Sequence, residues 1–332
     1  MIGLASAENT PRPVTLLLIL VIIALVSLPF VGVNPYILHL GFLTFLYVSL
    51  SSAWNILGGF AGQVSFGYSA FFGLGAYATG ILWNAGVNPY LTLPVGALLA
   101  LAFSLLVGYP CFRLSGPYFA IATIGIGEAM RVIMLNLGDI TGGASGLTMP
   151  TTGGFSKTPS YLSALLLMIA VLLLVNYIRN SRIGLALLAI KEDQDAAEAL
   201  GVPTIRYKLL AHGLGAIIVG IAGGLYAQYM FYIEPNNVFG FNLSISLLLM
   251  PVIGGLATLW GPVLGAIVFV VIQDTLMASF PHLHLLTYGL LLVVIVLFEP
   301  DGLMGLFGRL ARFLRSRYAE GQARAPSGEQ SL

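Results

Sequence analysis

Charge is scarce in this sequence. Of its 332 residues, 8% are Asp, Glu, Lys or Arg and 58% are hydrophobic, and the mean hydropathy is +0.94. Soluble domains carry about 25% charged residues, so this chain has too little polar surface to cover itself in water. Between Arg12 and Arg113 there is no ionic side chain, and the stretches 158–178, 209–233, 235–273 and 275–298 also lack one. Cysteine is nearly absent. The lone Cys111 excludes an intrachain disulfide and any CxxC metal or redox site, and reads as a small apolar residue within a span. A net charge of +1 offers no basic face to nucleic acid.

Catalytic motifs are missing too. Neither HExxH nor GxSxG occurs, and these carry the commonest metal-assisted and acyl-transfer chemistries. Only His282 and His284 approach a metal-like spacing, and two histidines in a short polar loop read as solvated. The stretch TTGGFSKT at 151–158 resembles a phosphate loop but lacks the glycine spacing of GxxxxGK[ST]. The expectation is a chain that performs no chemical step, holds no metal and carries no cofactor of its own.

What the sequence does contain is long, uninterrupted apolar runs. Crossing a bilayer takes about 20 apolar residues in a helix. Glycine and proline clusters divide the runs into spans at roughly 14–33, 36–57, 64–85, 91–112, 117–137, 161–178, 206–230, 244–260, 262–280 and 284–298. Continuous apolarity fits helices, whereas barrel strands alternate over about ten residues. The first run exceeds the apolar core of a secretory signal and is followed by Asn34-Pro35-Tyr36 rather than a small-residue cleavage site, so it reads as a retained span. The expected fold is all-α, a polytopic transmembrane helical bundle of about ten spans.

Placing the amino terminus in the cytoplasm puts Arg12, Arg113, Arg179, Arg182, Lys191, Arg206, Lys208 and the arginines between 309 and 324 inside. Lys157 then lies outside and Arg131 lies within a span. The positive-inside rule favours this orientation, and an even span count returns both termini to the cytoplasm.

The longest charged internal segment, 179–208, is therefore expected in the cytoplasm. Within it KEDQDAAEAL, residues 191–200, reads as one short helix with acidic residues near its start, stopped by Gly201 and Pro203. Ala196, Ala197, Ala199 and Leu200 give it a small, partly apolar surface edged by Glu192, Asp193, Asp195 and Glu198. The residues alone leave two readings open, a docking helix and a solvated connector.

Within the membrane, residues 58–77 concentrate glycine and alanine, which permits close helix packing or a broken helix lining a cavity. Gln63, Ser65 and Tyr68 add hydrogen-bonding groups there, and a continuous helix would place Ser65 and Tyr68 on one face. Gly254, Gly255, Gly261, Pro262 and Gly265 read as a tight turn between spans. Glu128 and Arg131, three apart in the fifth span, share a face, and charge at that depth calls for a partner. That partner is either the other residue or a transported zwitterion. Asp274, beside Gln273, is the third intramembrane candidate.

The run 182–208 resembles the cytoplasmic loop of branched-chain amino acid ABC transporter permeases. Three further segments match the same family: WNILGGFAGQVSFGYSAFFGLGAYATG (54–80), RLSGPYFAIATIGIGEAMRVIMLNLGDITGGASGL (113–147) and MPVIGGLATLWGPVLGA (250–266). The second is particularly similar to the larger, M-type (LivM-like) subunit, and together the matches extend from about 51 to 306. The resemblance implies a transmembrane permease domain over 1–308, with a coupling loop at 179–208, followed by a basic interfacial helix and disordered tail over 309–332.

It further implies half of a translocation pathway in a bacterial cytoplasmic (inner) membrane, beside a homologous H-type permease. Two ABC ATPase subunits below would hold ATP and Mg, and an extracytoplasmic amino-acid-binding protein would dock on loops such as 139–159 and 234–242. By resemblance Glu198, Ala199 and Gly201 correspond to a Glu-Ala-x-Gly core, with Leu200 in place of the second alanine of the general pattern. Arg182, Glu192 and Asp195 join them as ATPase-coupling residues. Gln63, Ser65, Tyr68, Glu128, Arg131 and Asp274 are the pathway candidates. Urea or a short amide is the alternative cargo, since closely similar permeases import these. An ion-coupled secondary transporter using Glu128 or Asp274 is the rival mechanism.

Overall fold

The computed structural model describes residues 12–114, 116–150 and 157–279, with 289–290, 293, 297, 302–306 and 309. Its helices are α1 (Arg12–Ser27), α2 (Pro35–Gly58), α3 (Tyr68–Asn84), α4 (Pro89–Cys111), α5 (Pro117–Asn136), α6 (Gly138–Thr141), α7 (Lys157–Arg179), α8 (Arg182–Glu192), α9 (Gln194–Ala199), α10 (Thr204–Met230), α11 (Pro235–Val238), α12 (Phe241–Gly254) and α13 (Gly261–Ser279). A two-stranded antiparallel ladder, β1 (Leu147–Thr148) with β2 (Tyr232–Ile233), pairs Leu147 with Ile233 and Thr148 with Tyr232.

Among the described residues, six segments are long and apolar enough to cross a membrane: Pro35–Gly58, Pro89–Cys111, Pro117–Asn136, Lys157–Arg179, Thr204–Met230 and Pro235–Gly254. Ile19–Phe30 and Gly261–Thr275 are apolar but shorter. This is a multi-span helical protein, as expected. The tenth expected span, 284–298, falls largely outside the described residues, and so do His282, His284, residues 151–156 and nearly all of the 309–332 tail.

Local chemistry sets several helix starts. Both α2 and α4 open on the same Asn-Pro-Tyr signal. Asn34 accepts from the Tyr36 amide at 2.9 Å and Asn88 from the Tyr90 amide at 3.0 Å, with Pro35 and Pro89 in the first turn. An asparagine N-cap followed by proline satisfies one free amide and removes another.

The bundle has two distinct ends. One gathers the end of α2, the segment α8–α9 and the α12–α13 turn: Gly62 lies against Lys191, and Asn55 bonds to Ala257 and Thr258. Arg179, Arg182, Lys191, Arg206 and Lys208 all belong to it by sequence position, and it is called the basic end below. The far end holds the β1–β2 ladder and the Lys157 contact to the Pro35 carbonyl.

At the centre stands α10, the most buried of the six long segments, packed against α2, α3, α4 and α7. Its backbone touches that of α3 directly. A methyl group on Gly75 would coincide with the Gly220 carbonyl, and one on Gly223 would coincide with the Phe72 carbonyl. Small residues allow this approach where van der Waals contact, rather than water exclusion, holds helices together. Around it the core is aromatic, with Trp54, Tyr68, Tyr77, Phe42, Phe71 and Phe119 almost fully buried.

Residues 255–260 form the tight turn expected from the surrounding glycines, although helix α12 ends at Gly254 rather than reaching residue 260. Asn55 clamps it: its Nδ2 donates to the Thr258 carbonyl at 3.0 Å and its Oδ1 accepts from the Ala257 amide at 3.0 Å. Ala257 needs that clamp because its φ is +57°, a conformation that costs an L-residue about 1 kcal/mol or more.

Three outcomes test this packing. Gly223→Leu is expected to abolish most folded protein recovered in mild detergent, since overpacking a filled site costs about 1–3 kcal/mol or more. Gly125→Leu, where no atom lies within 4 Å of the added carbon, is expected to leave recovery unchanged. Asn55→Leu leaves a part-buried amide and carbonyl without their partner, each costing up to about 1–3 kcal/mol, and a clear fall in thermal unfolding temperature measures it.

Candidate functional site

Between α2 and α3 the chain leaves the basic end without helical structure. Residues 59–67 are a turn and an irregular stretch, and Tyr68 begins α3 already inside the bundle, against Ala53 and Gly215. Unwound backbone inside an apolar bundle persists only where protein groups satisfy it. Here Trp54 Nε1 donates to the Ser65 carbonyl at 2.8 Å and the Phe66 amide donates to Thr123 Oγ1 at 3.0 Å. The Gly67 amide reaches Ser65 Oγ at 3.3 Å. The continuous helix expected over 64–85 is thus corrected. Ser65 precedes α3 and bonds locally, so it shares no helical face with Tyr68, because the glycine-rich backbone bends to meet α5.

A second break lies opposite. The chain passes from α11 through Phe239 and Gly240 into α12, and Ser244 of α12 accepts from the Ser69 amide of α3 at 3.2 Å. Where the two breaks meet the middle of α5 there is a cavity of about 240 Å³, lined by Phe66, Ser69, Ile124, Gly127, Glu128, Phe239 and Phe241. Phe239 is held by stacking on Tyr77, with ring centroids 5.9 Å apart, and by lying flat on Gly73.

Glu128 and Arg131 do pair. Arg131 Nη2 approaches Glu128 Oε1 at 2.5 Å and Nε donates to Oε2 at 3.0 Å, the two-point geometry that makes guanidinium–carboxylate pairs specific. The remaining arm, Nη1, donates to Asn236 Oδ1 at 2.6 Å. The side chains stay partly open, Glu128 at 51% and Arg131 at 27% exposure, and α5 is the least buried of the six long segments. One flank of this cavity is therefore an open face of the chain.

The other pathway candidates lie elsewhere. Tyr68 is fully buried in the core beside Phe71 and His212 and does not line the cavity. Gln63 is half-buried in the unwound stretch near the basic end, its amide donating to the Leu57 carbonyl. Asp274 lies at the far end of the bundle and accepts from the hydroxyl of Tyr36, the second residue of α2.

At the basic end, the single helix expected over 191–200 is two. Asp193 is the N-cap of α9, its carboxylate accepting from the Ala196 amide at 3.0 Å, and it divides α8 from α9. A capping aspartate satisfies an amide that has no partner within the helix, and this local bond outcompetes continuation of α8. Arg182, Glu192, Asp195 and Ala199 are exposed, whereas Ala197 packs inward. Leu200 stands at the tip with 86% exposure. Gly201 turns the chain at φ +84°, a region glycine enters at little cost.

The acidic rim is tied down from below. Glu198 accepts from the Thr204 hydroxyl and from Gln194 Nε2, and these bonds hold its carboxyl below the usual carboxylate range. Lys208, almost fully buried, donates to Gln194 Oε1. Sequence reasoning missed Phe66, Thr123, Asn236, Phe239 and Phe241. The glycine-rich run signalled the break in α3, but no local pattern signals which residues on α5 and α12 meet it.

The chain is 33% identical over 319 residues to the high-affinity branched-chain amino acid transport system permease protein LivM of Escherichia coli, covering 87% of this chain and 74% of that protein. It is 24% identical to the permease protein LivH of Salmonella typhimurium, over 78% of this chain and 91% of the relative. A probable branched-chain amino acid transport permease protein LivM of Methanocaldococcus jannaschii is also 24% identical, over 78% and 90% of the two chains. No solved structure matches it significantly. Residues 36–296 match the family model described as the branched-chain amino acid transport system / permease component. That match takes in α2 to α13, both broken segments and the α8–α9 loop, and the chain belongs to this permease family.

Proposed function

We propose that the chain is a transmembrane permease subunit of an ATP-driven importer for branched-chain amino acids, working beside a second, homologous permease. The observation that carries the reading is α9, a short capped helix outside the bundle with Leu200 at its tip. An exposed leucine beside small alanines, rimmed by carboxylates, has the shape and charge to seat in a groove with a basic edge. Arg182, Glu192, Asp195, Glu198, Ala199 and Gly201 form the surface that couples ATPase closure to the bundle, through α8 to α7 and through Gly201 to α10. ATP and Mg would be held by those ATPase subunits. Similarity to both LivM and LivH relatives supports a two-permease assembly.

The orientation follows from charge. With the basic end in the cytoplasm, the lysines and arginines of the α8–α9 loop lie inside, and both termini are read as cytoplasmic. The β1–β2 ladder and α11 then face a binding protein that delivers cargo. The membrane is read as a bacterial cytoplasmic (inner) membrane. The open flank of α5, with Glu128 and Arg131, is the face turned to the second permease and to the pathway.

Two observations weigh against the rivals. Glu128 is held by Arg131, and Asp274 accepts from Tyr36, so neither is an isolated carboxylate poised to bind a coupling ion. Three phenylalanines in the cavity suit an apolar side chain better than urea or a short amide.

Leu200→Glu is expected to leave the permease in the membrane at normal abundance while reducing both ATPase co-purification and ATP-dependent leucine uptake at least ten-fold. Unchanged assembly and uptake would reject the docking role. For the orientation, a Leu200→Cys variant carrying Cys111→Ser, produced without the ATPase subunits so that residue 200 stays uncovered, is expected to react with a membrane-impermeant thiol reagent only in inside-out vesicles. Labelling in intact cells would reverse the assignment.

A further inference from the structure

Resting on the permease reading, we infer that the cavity between α3, α5 and α12 is a selectivity subsite for a neutral, apolar amino acid. The side chain lodges among Phe66, Phe239 and Phe241. The ammonium takes Glu128 and the carboxylate takes Arg131. The first support is shape. Phe239 is buried and fixed by Tyr77 and Gly73, and Phe66 meets Phe241 with ring centroids 5.6 Å apart. The cavity of about 240 Å³ has aromatic walls and one carboxylate in its lining. It opens where Phe241 is 42% exposed and Glu128 51% exposed, so a solute enters from the α5 flank rather than through the core.

The second support is charge balance. With the site empty, Glu128 and Arg131 neutralise each other, and Asn236 takes the spare guanidinium arm. A zwitterion exchanges one internal pair for two pairs across the site, so no charge is stranded in a low-dielectric setting before, during or after occupancy. A cationic or anionic amino acid leaves one unpaired charge, and a neutral amide gains nothing from the pair. The same two residues thereby reject charged cargo while the phenylalanines reject polar cargo. Binding of this kind is weak because the pair competes with the ligand, which suits passage rather than retention.

Gly127 provides a clean probe. A carbon added there meets only Ser69 Oγ at 3.5 Å and the Phe66 carbonyl oxygen at 3.8 Å, ordinary contacts, so Gly127→Ala fills cavity space without a clash and favours the helix. The complete transporter, reconstituted in proteoliposomes with ATP inside and saturating binding protein outside, is assayed with radiolabelled leucine and valine. Gly127→Ala and then Gly127→Val are expected to lower the leucine-to-valine uptake ratio stepwise, reaching about ten-fold, the scale of discrimination one methylene supports in an apolar pocket. The double variant Glu128→Gln with Arg131→Gln leaves no unpaired charge, and is expected to assemble normally and lose at least ten-fold of uptake for both substrates.

An unchanged ratio through the glycine series overturns the subsite. Unchanged uptake by the double variant overturns the zwitterion contact, and if that variant fails to accumulate, the glycine series still decides. Absence of ATP-dependent leucine uptake by the unaltered transporter would instead refute the permease reading itself.

Discussion

Direct backbone contact between α3 and α10 is the constraint on which the rest of the bundle depends. In lipid, apolar side chains gain little by meeting each other rather than hydrocarbon, so close packing must supply the attraction. Gly75 against Gly220 and Gly223 against Phe72 bring the two helices as near as backbones allow. Gly96 of α4 then packs on Gly75, and Ala100 of α4 packs on Gly220. Three helices are thereby locked before any polar group is considered.

That lock has a consequence for the chain entering α3. Tyr68 starts the helix beside Ala53 and Gly215, so the linker from Gly58 passes an exposed Gly62 and Val64 and re-enters the protein at Ser65 as unwound backbone. Its amides and carbonyls need partners, and Trp54, Thr123 and Ser65 provide them. The break opens space beside α5, and the matching break before α12 extends it. The cavity is thus a by-product of how tightly the neighbouring helices pack, and Glu128, paired with Arg131, stands at its rim because α5 is left partly uncovered.

The basic end follows different physics. Ser181, whose hydroxyl accepts from the Ile183 and Gly184 amides, starts α8, and Asp193 starts α9. Hydrogen bonds from Thr204 and Gln194 to Glu198, and from Lys208 to Gln194, join α9 to the start of α10. A helix six residues long would be marginal alone. Those caps and cross-links hold it in place, as the proposed coupling role requires.

By itself the sequence determined the membrane environment, the helical class, most of the long spans, the charged loop and the shared helical face of Glu128 and Arg131, while leaving their partner open. Each is a local matter: apolar run length, charge scarcity, or residues three apart on one helix. Asn34 and Asn88 before proline start their helices by equally local bonds. Tertiary structure alone decided that residues 59–67 unwind and that Tyr68 belongs to the core. It alone brought Phe66, Phe239 and Phe241 around Gly127, and Asn236 to Arg131. Those outcomes depend on contacts between residues far apart in the chain, where a glycine-rich run permits several geometries and only the packing of α3 on α10 selects one.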